Sequence, residues 1–184
     1  TESWLEEMLQ LCQQKDVGMA GAKLYYPDDT IQHAGVVVGL GGVAAHVLCK
    51  LPRDAEGYMG RLRCVQEISA VTAACMMVKT SVFKAVGGFD EELKVAFNDI
   101  DLCMKVRKYG VKIVFTPYAE LYHYESKSRG MEDTPEKQLR FSREVNCFRR
   151  KWERELLKGD PYYNPNLTLN NTDCSLRKQE KNGD

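Results

Sequence analysis

Two carboxylates stand two positions apart in A-F-N-D-I-D-L-C-M-K-V-R-K-Y-G, residues 96–110. Asp99 and Asp101 open a segment that reads as a helix ended by Gly110, and three kinds of chemistry are open to them. They can cap the helix, hold a metal, or take a proton from a substrate. Asn98 and Asp99 suit the free amides of a first turn, where a carboxylate gains about 0.3–1 kcal/mol from the helix dipole. Asp101 has Lys105 at i, i+4 for an ion pair. A carboxylate fixed at a helix start, backed by Leu102 and Val106, is also rigid enough to serve as a base at the edge of a cleft.

The elements that must position these groups alternate between helix and strand. Residues 3–14, S-W-L-E-E-M-L-Q-L-C-Q-Q, read as a helix with Ser3 as cap, Glu6 at the capping-box position, and Leu5, Met8, Leu9 and Cys12 on one face. V-G-M-A-G-A-K-L-Y-Y reads as a strand, Asp28-Asp29 as a turn, and Ile31 to Gly39 as a second strand. Residues 40–66 lack a clear period and read as a long irregular loop. V-T-A-A-C-M-M-V-K, 71–79, reads as a buried strand, and S-V-F-K-A-V as a short helix stopped by Gly87-Gly88. V-K-I-V-F-T-P is a further strand ending at Pro117. Thr134 as cap, Pro135 at the first helical position, and Phe141, Val145, Phe148 and Trp152 at helical spacing mark a long helix. The expected class is α/β, with residues 1–158 as the domain and 159–184 as an irregular surface tail.

Composition narrows the classes of function. The chain has 184 residues, 43% of them apolar, which suits one domain with its own core. Its 26 basic and 26 acidic residues cancel, so no net field draws it to nucleic acid. The 7 cysteines form no C-x-x-C pair, which fits neither a zinc knuckle nor a disulfide framework and suits a reducing, cytoplasmic setting. No apolar run approaches the roughly 20 residues of a membrane span. The opening T-E-S-W, without a starting methionine, suggests a piece of something longer.

Around the two carboxylates stands an ordered set of short motifs: Gly87, Gly88, Phe89 and Asp90 upstream; Asn98, Asp99, Asp101, Lys105 and Arg107 in the helix; Thr116-Pro117 and His123 downstream. This order resembles the family 2 glycosyltransferases, inverting enzymes of GT-A fold that use nucleotide-diphosphate sugars. A-K-L-Y-Y-P-D-D-T-I-Q-H-A-G and D-P-Y-Y-N-P-N-L-T-L look like the branch that builds bacterial surface polysaccharides. Asn98 departs from the more usual Glu, and Lys105 from Arg, whose planar fork it lacks.

The resemblance implies a partial GT-A domain with a mixed sheet and a long C-terminal helix. It implies Asp99 as catalytic base, and an acceptor side formed by Gly87, Gly88, Phe89, Asp90, Asn98 and Asp101. His123 would approach the metal, and Lys105, Arg107, Ser128 and Arg129 the diphosphate. The cofactor would be Mg²⁺ or Mn²⁺, held by an Asp-x-Asp before Thr1 in the remaining N-terminal half of the enzyme. The expected partners are a nucleotide-diphosphate sugar and a saccharide or lipid-linked saccharide, with a peripheral membrane contact through the basic helix after Thr134 at the inner face of the membrane. Lacking the metal motif, the chain alone is expected neither to bind donor tightly nor to turn over.

Two other readings compete. V-V-V-G-L-G-G-V-A-A, 36–45, matches the G-x-G-x-x-A dinucleotide fingerprint, but Pro52 follows too soon for a crossover helix. A non-catalytic module that binds glycan or a partner is the alternative from a different class.

Overall fold

The computed structural model describes residues 1–124 and 134–178. Its centre is β1, Val17–Tyr25, whose nine residues are all buried. Such a strand is covered on both faces, which explains why its sequence shows no polar alternation. On one face lies α1, Trp4–Cys12, which packs Met8, Leu11 and Cys12 against Ala20, Ala22 and Leu24. On the other lies the larger core, where Met19 and Tyr25 share a cluster with Leu102, Cys103 and Val106 of α3, Asn98–Lys108. The approach is close: a Cβ on Gly21 would stand 2.3 Å from Val71 Cγ1, so only glycine fits.

One five-stranded mixed sheet surrounds β1. The parallel neighbour is β7, Lys112–Tyr122, and its far edge carries β5, Gln66–Glu67. Along its other edge β1 pairs antiparallel with β6, Met76–Val78, and with β2, Ile31–His33. A separate ribbon joins β3, Val36–Val38, to β4, Ala44–His46. α2, Thr80–Ala85, follows β6 and ends at Gly87-Gly88. α4, Pro135–Lys151, starts where expected, with the Thr134 hydroxyl accepting from the Lys137 amide, and α5, Glu153–Lys158, follows a break at Trp152.

Several local expectations change. α1 turns Leu5 and Leu9 outward and buries Leu11 instead, and Ser3 makes no side-chain cap. Residues 31–39 split between two sheets, because β2 stays on β1 while β3 turns away to pair with β4. The 71–79 strand shrinks to the half-buried β6, behind a 3-10 turn at Ala73–Cys75 capped by Thr72. β7 continues past Pro117 because its register with β1 slips between Thr116 and Glu120, and the extra residues absorb the proline. In the tail, Tyr163, Leu167 and Cys174 join the main core, so residues 159–178 are more than a surface wrap.

Candidate functional site

Asp99 and Asp101 diverge. Two residues on a helix are about 200° apart around the axis, so the pair cannot close on one ion from the same face. Asp101 points into the core and is 0% exposed. It accepts from Trp152 Nε1 at 2.8 Å and pairs with Lys151 at 2.8 Å and Lys105 at 3.3 Å. Lys151 continues to Asp90, and Lys105 donates to the Gly88 carbonyl. One buried carboxylate therefore ties α4 and the Gly87–Asp90 loop to α3. The Asp90 carboxyl is held below its ordinary range, first by the Lys151 hydrogen bond and then by the Glu92 amide. Asp101 thus lies beneath the acceptor side proposed from the sequence and not on its surface, because its oxygens are spent on Trp152 and two lysines.

Asp99 faces the other way. It is half-buried, its Oδ2 accepting from the Ala73 amide at 3.1 Å and its Oδ1 from the Ile100 amide at 2.9 Å. A carboxylate has about four lone-pair positions, so two remain for a substrate proton. The helix itself begins after Phe97, which adopts a left-handed φ of 62°. The cap position therefore falls on Phe97, which makes no side-chain cap, and not on Asn98 or Asp99 as their types suggested; Asn98 Oδ1 accepts from the Asp99 amide at 2.7 Å within the first turn.

What fixes this bend is a residue the sequence reading passed over. Glu144 of α4 is 3% exposed, and its two oxygens accept from the Val95 amide at 3.2 Å and the Ala96 amide at 2.8 Å. The carboxylate sets the backbone just ahead of Phe97 and Asp99. Its position between Phe141 and Phe148 on the apolar stripe was the available signal, since a carboxylate on an inward face must meet donors there.

Beside Ala73 the three histidines of the chain draw together. His33, fully buried, meets His46 at 3.0 Å between Nδ1 atoms and approaches the Thr72 amide at 3.5 Å. Burial, then the nearby His46 and His123, hold the His33 pKa well below the ordinary value, so its ring is neutral. His123, at the end of β7, places Nδ1 2.7 Å from Gln32 Nε2. Through Gln32, His33, Thr72 and Ala73, His123 is linked to the side of α3 that carries Asp99. These groups gather at the carboxyl ends of the parallel pair β1 and β7, where open α/β sheets place ligands.

The other expected residues are dispersed. Phe89 is 47% exposed and packs edge-on against Phe83, presenting a free aromatic face next to the glycines. Arg107 sits at the opposite end of α3, about 12 Å from Asp99 along the axis, where it donates to Ser69 Oγ at 3.1 Å and lies over the Tyr162 ring. Lys105 is spent on Asp101 and Gly88. Ser128 and Arg129 lie outside the described residues.

The described residues do not fit a divalent cation. Among the described residues no group of three or more His, Cys, Asp or Glu side chains converges on one point. Asp28 is spent on Thr30, and Asp29 on Arg53 and Tyr122. The 36–45 glycine stretch is a ribbon with a 3-10 turn and no crossover helix, so the dinucleotide fingerprint lacks its context. No described helix is long and apolar enough to cross a membrane.

Residues 2–144 match the family model described as glycosyltransferase like family 2. An uncharacterised protein, y4gI, of Sinorhizobium fredii is 58% identical over 174 residues, which is 94% of this chain and 19% of that protein. The O-antigen biosynthesis protein RfbC of Myxococcus xanthus is 39% identical over 183 residues, 99% of this chain and 14% of that protein. An N-acetylglucosaminyl-diphospho-decaprenol L-rhamnosyltransferase of Mycobacterium tuberculosis is 36% identical over 62 residues, 34% of this chain and 20% of that protein. The chain thus spans less than a fifth of the first two relatives.

Proposed function

The chain belongs to glycosyltransferase like family 2, with the mixed α/β fold of a partial GT-A domain, and from that premise we propose that the protein containing it transfers a sugar from a nucleotide-diphosphate donor to a saccharide or lipid-linked saccharide hydroxyl. Transfer proceeds with inversion. The acceptor oxygen forms a bond to the anomeric carbon as the bond to the diphosphate breaks, the electron pair leaves with the diphosphate, and the hydroxyl proton passes to Asp99.

One observation carries this reading: the half-buried Asp99 carboxylate is fixed by the Ala73 amide at the substrate-binding end of the sheet and keeps lone pairs for a proton. General-base help of this kind contributes about 10²–10⁴ in rate. Fixing the base matters as much as its chemistry, since in-line displacement depends on alignment. Glu144 and the Asp101 network supply the fixing. Gly87, Gly88 and the open face of Phe89 form the acceptor side, with Asn98 and Asp90 behind them.

Mg²⁺ or Mn²⁺, which this family generally uses, would stabilise the leaving diphosphate. Further ligands would come from elsewhere in the full-length protein, and His123 would approach the ion from this side. The relatives named for O-antigen biosynthesis and as a diphospho-decaprenol rhamnosyltransferase favour a cell-surface polysaccharide or its lipid-linked precursor as product; a site of synthesis at the cytoplasmic face of the membrane is part of the proposal. Residues 1–158 are taken as the domain, with the tail packed onto its core through Tyr163, Leu167 and Cys174, and the chain alone is taken as inactive.

The test is a panel of nucleotide-diphosphate sugars incubated with the full-length protein, Mn²⁺ and saccharide acceptors, with the anomeric configuration of any product read by NMR. A product of inverted configuration is expected. A product of retained configuration, or saccharide binding without transfer from any donor, would sink the reading.

A further inference from the structure

A buried ammonium is costly unless a carboxylate or several hydrogen bonds answer it. Lys23 is 4% exposed, yet no carboxylate among the described residues forms an ion pair with it, and its one hydrogen bond is a long one, 3.4 Å to the Leu62 carbonyl. The Tyr25 ring lies 5.4 Å away and adds a weak attraction. Glu120, whose field reaches Lys23, is already taken by the Tyr25 hydroxyl and by Arg53 at 2.9 Å. Burial pushes the Lys23 pKa down in spite of Glu120.

Lys23 also lines a cleft of about 650 Å³, together with Arg53, Leu62, Arg63, Tyr118 and Glu120. The other side-chain cations there are matched, Arg53 by Asp29 and Glu120 and Arg63 by Glu56 at 3.4 Å, and the Thr1 ammonium donates to the Glu120 carbonyl at 2.6 Å. Of the side chains lining the cleft, Lys23 is the cation with charge and donors to spare, and it has them in the wall of an open space. We propose that this cleft is an oxyanion site in which Lys23 receives a phosphate group of a ligand. Two free N–H bonds suit phosphate oxygens, and the anion supplies the counter-charge that the fold withholds.

The cleft lies on the β7 side of β1, whereas Asp99 meets Ala73 on the β6 side. Phosphate binding at Lys23 is therefore independent of Asp99 as base. A soluble phosphate ester and a lipid-borne phosphate present the same chemistry, and the experiment separates them.

Inorganic pyrophosphate is titrated calorimetrically into the full-length protein and its Lys23→Met variant, and phosphatidylcholine vesicles with and without phosphatidic acid are sedimented with both. Pyrophosphate binding weakened about tenfold or more in the variant supports a soluble ligand. Binding only to phosphatidic acid vesicles, lost in the variant, supports a lipid-borne one. Equal binding by both proteins, or no binding to either probe, overturns the site. Thermal unfolding guards against a misfolded variant: without ligand, Lys23→Met should melt at the same temperature as the parent or higher, because it removes an unanswered charge. A lower melting temperature would mark Lys23 as a structural lysine and refute the proposal.

Discussion

Changing Asp101 to asparagine removes one negative charge from the point where α3, α4 and the Gly87–Asp90 loop meet. An asparagine carbonyl can still accept from Trp152 Nε1, so the indole bond survives. What is lost is the ion pair to Lys151 at 2.8 Å and to Lys105 at 3.3 Å, around a carboxylate that is 0% exposed. Breaking a buried pair costs about 3–5 kcal/mol. The two lysines keep 33% and 18% of their side-chain surface and can turn partly to water, which places the loss near the lower end. Trp152→Phe is the control, since it removes one donor and leaves the charges, at about 1 kcal/mol. With a urea slope of about 2 kcal/mol/M, Asp101→Asn should lower the unfolding midpoint by about 1.5 M and Trp152→Phe by about 0.5 M. A shift for Asp101→Asn no larger than that of Trp152→Phe would refute the network as the tie between these elements.

Glu144→Gln should leave one of the Val95 and Ala96 amides facing an NH₂ group, costing about 1–3 kcal/mol in urea unfolding and slowing transfer without weakening donor binding; unchanged turnover would show that Glu144 does not position α3. Gly88→Ala forces a side chain onto a φ of 64° with its Cβ 3.1 Å from Phe83 Cζ, so stability should fall by about 1–2 kcal/mol and the Phe83–Phe89 pair should shift, read by unfolding and by acceptor KM. For pH, His33 takes up its proton more readily unfolded than folded, so its contribution is complete above the ordinary histidine value and declines as pH falls below about 6.5, by up to about 1.4 kcal/mol per unit. His33→Gln should flatten that acid limb, with His46 and His123 still present; an unchanged slope would contradict it.

The features legible in the sequence were those fixed by local chemistry. Thr134 and Pro135 announced α4 because cap and first-turn proline act within one turn. Gly87-Gly88 announced a stop because both glycines take left-handed φ values. That Asp99 opens a helix with Leu102 and Val106 inward was legible in the same way, whereas its proposed role as base came from the family resemblance and not from the helix pattern. What escaped depends on partners distant in sequence. Leu11 displaced Leu5 and Leu9 on α1 because the docking angle on β1, not the periodicity, selects the buried stripe. Asp101 looked like a charge paired along its own helix, and Glu144 drew no notice as a functional residue. Trp152, Lys151 and the Val95–Ala96 amides, which make them structural, come from other segments. His33 and Gln32 lay in plain view in the Q-H pair, yet only the pairing of β2 with β1 brings them between His123 and Thr72.

The most direct test of Asp99 as base is the single-turnover rate of Asp99→Asn in the full-length protein, measured beside its donor affinity. Asparagine keeps the size of the side chain and one acceptor for the Ala73 amide, but has no basic carboxylate. A fall in rate of about 10²–10⁴ with donor affinity unchanged is expected. A rate within a few-fold of the parent would remove Asp99 from the chemistry and leave it a structural residue of the first turn.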